Sequence, residues 1–288
     1  GAVGAVGDEF AAAAAELPRT MEALNFVPKY PALGHLFAAS ALLGIPMTLR
    51  ALVIAGGPAR TRLASLLGFL LASALTVLTL SKGNNLFAWH IIGMACAVFG
   101  LQPAAIHSIL AKHSFNNADT RASRAMDHKL LQMAVVGSVG GGFLAIFLNK
   151  PAGFPGKHFM SVHSLVGLAA IFLMVFNTLH GAYRQGSPLS PKFNWVSRLH
   201  RVTGTFAFCL SISAAMLGLF NRTVVVDWEQ RPIRFSLPDG WNQMGGWAAS
   251  THGVALAWAF IGTAFVILIL MMLPGRGPPV TVPGSKRK

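Results

Sequence analysis

The sequence predicts an all-α integral membrane protein, and three observations lead to this fold class. Charged residues make up only 11% of the 288 residues, less than half the usual share in a soluble domain, and hydrophobic residues make up 53%. The mean hydropathy is +0.56. The apolar residues also fall into long runs, which at about 1.5 Å per helical residue suit a hydrocarbon layer of about 30 Å.

The apolar runs define the elements in order. Residues 1–30 begin without Met and are rich in Ala and Gly, which predicts a processed or trimmed terminus. The first apolar segment, 34–55, is interrupted by Pro46 and Arg50, so it either spans the membrane or lies in the interface. The segments that we predict to span have no charged residue near the middle and are 63–81, 86–111, 129–149, 162–183, 200–220 and 247–273. Their connections are rich in Gly, Pro, Asn and charges, as loops are.

The net charge of +14 comes from Lys and Arg residues in the short connections and at the chain ends. This distribution is typical of membrane flanks and not of a nucleic-acid-binding face. We call side B the face at which segments 129–149 and 200–220 begin, and side A the opposite face. If segment 34–55 spans, most Lys and Arg residues lie on side B, which is then expected to face the cytoplasm, matrix or stroma.

Four histidines stand near the start of four different apolar segments. His90 and His163 begin the segments that leave side A, whereas His128 and His200 begin those that leave side B. A b-type haem iron with no open position takes two neutral imidazoles from opposite sides of the porphyrin, and two helices must supply them. The sequence therefore predicts two haems b, with His90 and His163 on one iron and His128 and His200 on the other. Isolated intramembrane histidines instead form interhelical hydrogen bonds or proton paths.

A second ligand set remains open at this stage. His107 lies seventeen residues after His90, and His180 lies seventeen after His163, so these two could replace His128 and His200 at the side B iron. Seventeen residues advance an ideal helix by about 1700°, which leaves both side chains about 100° short of their partners' faces. Pro103 could kink one of the two helices.

The strings NNLFAWHIIGM, MDHKLLQM, FMSVHSLVGLAAIF and SRLHRVTGTFAF resemble the cytochrome b561 family, over roughly residues 60–275. The resemblance implies that the first central helix pairs with the third and the second with the fourth, which gives the same histidine pairs. It also implies a haem-binding core of four helices with two flanking helices, so segment 34–55 is an addition to the family's common six. The expected parts are an N-terminal extension (1–33), the additional segment with its linker (34–62), the membrane domain (63–275) and a basic tail (276–288).

The resemblance implies electron transfer across the membrane, from a donor such as ascorbate on side B to ferric iron or monodehydroascorbate on side A. Members that use ascorbate usually carry a Tyr-Arg pair where this chain reads AAIHSILAKHS. We expect Lys129 and Arg201, each beside a ligand, to pair with haem propionates. Lys112 and Arg124 are expected near the donor, and Lys157 and His158 near the acceptor.

Alternative functions follow from other features of the chain. The additional N-terminal segment and the tail GSKRK favour contact with a second copy or with a larger membrane complex, in which the chain would be an accessory subunit with a mainly structural role. A transporter with proton-relaying histidines would show internal repeats or helices broken near the midplane, and neither is clear in the sequence.

Overall fold

The computed structural model describes residues 31–53, 56–81, 85–149, 159, 162–185, 197–220 and 251–273. The α-helices are Pro31–Val53 (α1), Ala59–Leu80 (α2), Leu86–Ala95 (α3), Gln102–Ala111 (α4), Ala118–Asn149 (α5), Val162–Gln185 (α6), Arg198–Phe220 (α7) and Thr251–Met272 (α8). A π-helical segment, Cys96–Leu101, joins α3 to α4, and a 3₁₀ turn, Lys112–Ser114, follows α4. The described part of the chain contains no strand, so the predicted all-α class is confirmed.

The protein is a multi-pass integral membrane protein. Among the described residues, six helical stretches are long and apolar enough to cross a bilayer: Pro31–Val53, Ala59–Leu80, Leu86–Ser114, Ala118–Asn149, Val162–Tyr183 and Arg198–Gly218. The first of these contains Pro46 inside an uninterrupted helix, so the additional segment has the length and hydropathy of a span. The predicted extension before residue 31, the connection 221–250 and the tail after residue 273 lie outside the described residues.

The helix α5 begins earlier than the sequence predicts. Local composition marks the stretch before residue 129 as a loop, yet the helix begins at Ala118, so that His128 lies ten residues inside it. Asn117 caps it, because the Asn117 Oδ1 accepts a hydrogen bond of 2.8 Å from the backbone N–H of Asp119. The charged side chains in the first turns stay helical because Arg124 and Asp127 form an ion pair three residues apart.

The π-helical segment has a local cause in Pro103. Proline has no backbone N–H, so the carbonyl of Phe99 has no donor four residues later and the helix widens there. That carbonyl packs against Gly68 of α2, where an added Cβ would collide with the oxygen and lie 3.1 Å from the carbonyl carbon. The wider turn also rotates the rest of the span relative to α3.

Contacts between helix ends show that successive spans run in opposite directions. At one end, Arg50 of α1 bonds Ser123 of α5 at 2.7 Å, and Arg60 of α2 bonds the carbonyl of Leu270 in α8 at 3.4 Å. At the other end, the rings of Phe37 and Trp89 lie 4.9 Å apart. The first of these ends corresponds to side B and the second to side A.

The additional helix α1 packs along α5 through small residues. Gly44 lies against Leu101 and Ala134, and Gly137 of α5 lies against Ser40. Such close approach lets van der Waals contact hold helices together where lipid removes the hydrophobic driving force. An apolar cluster joins α2, the span made of α3, the π-helical segment and α4, and the helices α7 and α8. Its central side chains are Phe99, Phe208, Ile212 and Ile267.

We predict that Gly68→Ala destabilises the protein by about 1 to 3 kcal/mol, the usual range for overpacking. The neighbouring atom is a backbone oxygen, which cannot move away as a flexible side chain could. Gly262→Ala in helix α8 is the matched control, since no atom lies within 4 Å of the added Cβ. Thermal unfolding in detergent micelles measures both, and equal midpoints for the two variants would contradict the prediction.

Candidate functional site

The histidines that the sequence places on side A come together between two hairpins. The first hairpin consists of residues 86–149 and the second of residues 162–220. His90 at the start of α3 and His163 at the start of α6 face each other between the two hairpins. Their ring centroids are 6.2 Å apart and their ring planes make an angle of 82°. Asn85 caps α3, because its Oδ1 accepts a 2.9 Å hydrogen bond from the N–H of Ala88, and so fixes the turn that carries His90.

The histidines on side B form a second pair with almost the same geometry. His128 of α5 and His200 of α7 have ring centroids 6.3 Å apart and ring planes at 84°. Ser197 caps α7, because its Oγ accepts a 3.2 Å hydrogen bond from the backbone N–H of His200. Each pair therefore takes one histidine from each hairpin.

Hydrogen bonds within each hairpin define the orientation of the imidazoles. The Nδ1 of His90 lies 3.0 Å from the carbonyl oxygen of Gly142, and the Nδ1 of His128 lies 2.9 Å from that of Ala105. In the second hairpin, the Nδ1 of His163 lies 2.8 Å from the carbonyl oxygen of Ala214. A carbonyl only accepts, so Nδ1 carries the proton and Nε2 keeps its lone pair for a metal.

His200 also lies against the neighbouring helix of its own hairpin, with its Cε1 3.0 Å from the position of a Cβ at Gly181 in α6. The rings of His90, His128 and His163 are thus each hydrogen-bonded to the antiparallel helix of their own hairpin. Such bonding of the second ring nitrogen is the usual support for a metal-binding histidine.

The separation of the rings fits one iron between each pair. Two imidazoles that bind a metal through Nε2 from opposite sides, with bonds of about 2 Å, have centroids about 6 Å apart. The described residues contain no group of three or more His, Cys, Asp or Glu side chains that could hold a bare metal ion. Two imidazoles suffice for haem, because the porphyrin supplies the other four nitrogens.

The two pairs lie at different depths. The His90 ring reaches the carbonyl of Gly142, fourteen residues after His128 in α5, and the His163 ring reaches that of Ala214, fourteen residues after His200 in α7. At a rise of about 1.5 Å per residue, fourteen residues cover about 21 Å along the helix axis. The two sites therefore lie near opposite ends of the four-helix core.

Two glycines allow the histidine rings to approach the partner helix. A Cβ at Gly218 would lie 2.9 Å from Cε1 of His163, and a Cβ at Gly181 would lie 3.0 Å from Cε1 of His200. The glycines that follow a histidine on its own helix, Gly93, Gly167 and Gly204, are a separate set, at which the sequence predicts room for a flat macrocycle beside the backbone. Of these, Gly93 and Gly204 pack against neighbouring helices. The glycines that contact the histidine rings, Gly181 and Gly218, lie on the opposite helix of the same hairpin.

The alternative ligands His107 and His180 do not meet. His107 is 1% exposed and its Nδ1 lies 2.7 Å from Oγ1 of Thr61 in α2, on the outer side of the core. The π-helical segment between His90 and His107 adds to the angular offset that an ideal helix already predicts. His180 stacks on the ring of His200 at 6.4 Å.

The basic residues that the sequence predicts around the sites have different surroundings. Arg201 is exposed, whereas Lys129 and Lys112 are half-buried at side B. Arg124 is only 4% exposed and its Nη1 lies 3.1 Å from Oδ2 of Asp127. The predicted acceptor-side residues Lys157 and His158 lie outside the described residues.

Comparison with known proteins identifies a family. The family model described as eukaryotic cytochrome b561 matches residues 88–226, which include all four paired histidines. No curated protein and no solved structure matches the chain. Over these residues the chain is similar to the cytochrome b561 family, whose members carry out transmembrane electron transfer with haem.

Proposed function

We propose that the protein transfers single electrons across its membrane through two b haems. His90 and His163 hold the haem near side A, and His128 and His200 hold the haem near side B. The observation that supports this most strongly is the repeated geometry of the two pairs, with ring centroids 6.2 Å and 6.3 Å apart. When bound, each haem supplies an iron that accepts and releases one electron.

The chain's own residues provide orientation and an apolar environment. The imidazoles of His90, His128 and His163 are oriented by backbone hydrogen bonds within their own hairpins, so little rearrangement is needed when the iron changes charge. The helices around the sites expose large apolar side chains such as Phe172 and Leu179 to lipid, which excludes water from the path. A buried environment of this kind also contributes to the reduction potential.

The charges at the membrane surfaces support a direction. Side B carries exposed Arg121, Arg198 and Arg201, and these attract an anionic donor such as ascorbate. In this proposal Lys129 and Arg201 neutralise the propionates, while Lys112 lies near the donor. Because Arg124 is buried in an ion pair, we assign it a place beside the haem and not in contact with a diffusing donor. The acceptor, ferric iron or monodehydroascorbate, docks on side A near Lys157 and His158.

The ligand set makes a spectroscopic prediction. The purified protein should contain two haems b per chain, and His128→Leu should remove about half of the reduced-minus-oxidised α-band, since a haem held by one imidazole loses its low-spin spectrum. His107→Gln is the control, because His107 bonds Thr61 and faces away from the pairs. Loss of half the band in the His107 variant and not in the His128 variant would reverse the assignment. Absence of b haem from the wild-type protein would favour the accessory-subunit function.

The partner-helix glycines provide a test specific to each site. Gly218→Val should displace the His163 ring and remove the side A haem, while Gly181→Val should displace the His200 ring and remove the side B haem. Gly140→Val is the matched control, since an added Cβ there has no neighbour within 4 Å. Haem per polypeptide and electron paramagnetic resonance of the low-spin signals measure the outcome. Full haem content in both test variants would contradict the geometry.

Donor binding on side B is testable by rapid mixing with ascorbate. Replacing Arg201 and Lys129 by Gln together should slow reduction of the haems by about tenfold at low ionic strength, because fewer positive charges attract the anion. Raising the salt concentration should slow the wild-type protein more than the variant. A neutral reductant should reduce both proteins at the same rate. A rate with ascorbate that is unchanged in the variant would exclude these residues from donor binding.

A further inference from the structure

A buried charge cluster lies directly beside the predicted side B ligand. Asp127 precedes His128 in α5, and its Oδ2 lies 3.1 Å from Nη1 of Arg124 and 3.5 Å from Nε of Arg50. Arg50 belongs to α1 and also bonds Oγ of Ser123 at 2.7 Å. We infer that Arg50 and Asp127 tune the reduction potential of the side B haem, so that the additional helix α1 serves as a redox-tuning element of the core.

This inference rests on the proposed haem ligation by His128 and goes beyond it. The side chains of Asp127 and Arg124 are 4% and 5% exposed, so their charges are poorly screened by water and salt. Arg124 lies one turn before His128, on the same face of α5, with its guanidinium carbon 5.9 Å from the centroid of the Phe115 ring. The cluster's charges are thus held at a fixed place relative to the ligand.

The cluster carries one surplus positive charge, from two arginines and one carboxylate. Reduction adds one electron to the haem, so a nearby positive charge favours the reduced form and raises the potential. The contribution of Arg50 comes from outside the part of the chain that matches the family, which begins at residue 88. The side A pair has Phe37 of α1 and Trp89 of α3 near it, and these side chains are uncharged.

The packing of α1 is what fixes the position of Arg50. Gly44 approaches Leu101 and Ala134, and Thr48 and Ala51, which flank Arg50 in α1, are each 1% exposed. The Arg50 side chain itself is 46% exposed, with its charged end directed to Ser123 and Asp127. Replacing Arg50 therefore changes the charge beside the site while leaving the buried contacts of α1 in place.

Potentiometric titration of the full-length protein in detergent tests the inference through two opposite shifts. Arg50→Gln should lower the reduction potential of the side B haem, and Asp127→Asn should raise it. Each shift should be at most about 59 mV, which corresponds to a tenfold change in the one-electron reduction equilibrium. The side A potential should stay constant in both variants. The His128→Leu protein, which should retain only the side A haem, assigns each potential to its side.

Two control variants separate charge from structure. Arg50→Lys keeps the positive charge and should leave the potential near the wild-type value. Arg60→Gln removes a different arginine at the same end of the bundle, one that bonds the carbonyl of Leu270, and should have little effect. If the Asp127→Asn protein does not accumulate, Arg50→Gln and Arg50→Lys by themselves decide whether the cluster tunes the potential or only docks α1.

The outcomes distinguish this inference from the proposed function. Shifts of the same sign in Arg50→Gln and Asp127→Asn, or no shift in Arg50→Gln, would mean that the cluster only docks α1 and would overturn the inference. If the tuning role is overturned in this way, two haems bound to the wild-type protein would still support the proposed function. A wild-type protein without haem would instead overturn the proposed function, and the tuning role with it.

Discussion

The pairing of Nδ1–H with a backbone carbonyl, made by three of the four paired histidines, is the constraint on which the core depends. In the hydrocarbon layer an unpaired ring N–H would cost several kcal/mol, because no water is present to accept it. The helix carbonyls can accept a second hydrogen bond, and the neighbouring helix of the same hairpin offers one at the right depth for His90, His128 and His163. These bonds fix the rings of the three histidines against the neighbouring helix of the same hairpin.

Departures from ideal helix geometry serve the same arrangement. Pro103 leaves the Phe99 carbonyl without its usual donor, and the resulting π-helical segment turns His107 toward Thr61 of α2. The same rotation leaves the carbonyl of Ala105 facing His128 of α5. One irregularity therefore removes a competing histidine from the core and supplies the acceptor for a predicted ligand.

The helix α1 extends the core in a direction that the family match does not cover. It packs on α5 over most of its length, from Phe37 against Gly141 near side A to Arg50 against Ser123 near side B. At side B it adds a positive charge to a buried carboxylate that precedes His128. The same contacts thus join helix docking, which needs small residues such as Gly44, to the electrostatic environment of a predicted cofactor site.

The sequence alone determined the fold class, most membrane segments and the side on which each histidine lies, because hydropathy and the count of crossings are local properties of the chain. It left open whether segment 34–55 spans and whether His107 and His180 replace the side B pair. Tertiary structure decided what depends on contacts between distant residues. The helix α5 begins at Ala118 because a cap and an ion pair offset the polar composition of its first turns. The partner-helix glycines Gly181 and Gly218, and the approach of Arg50 to Asp127, depend on how the helices are rotated against each other, which periodicity within one helix does not specify.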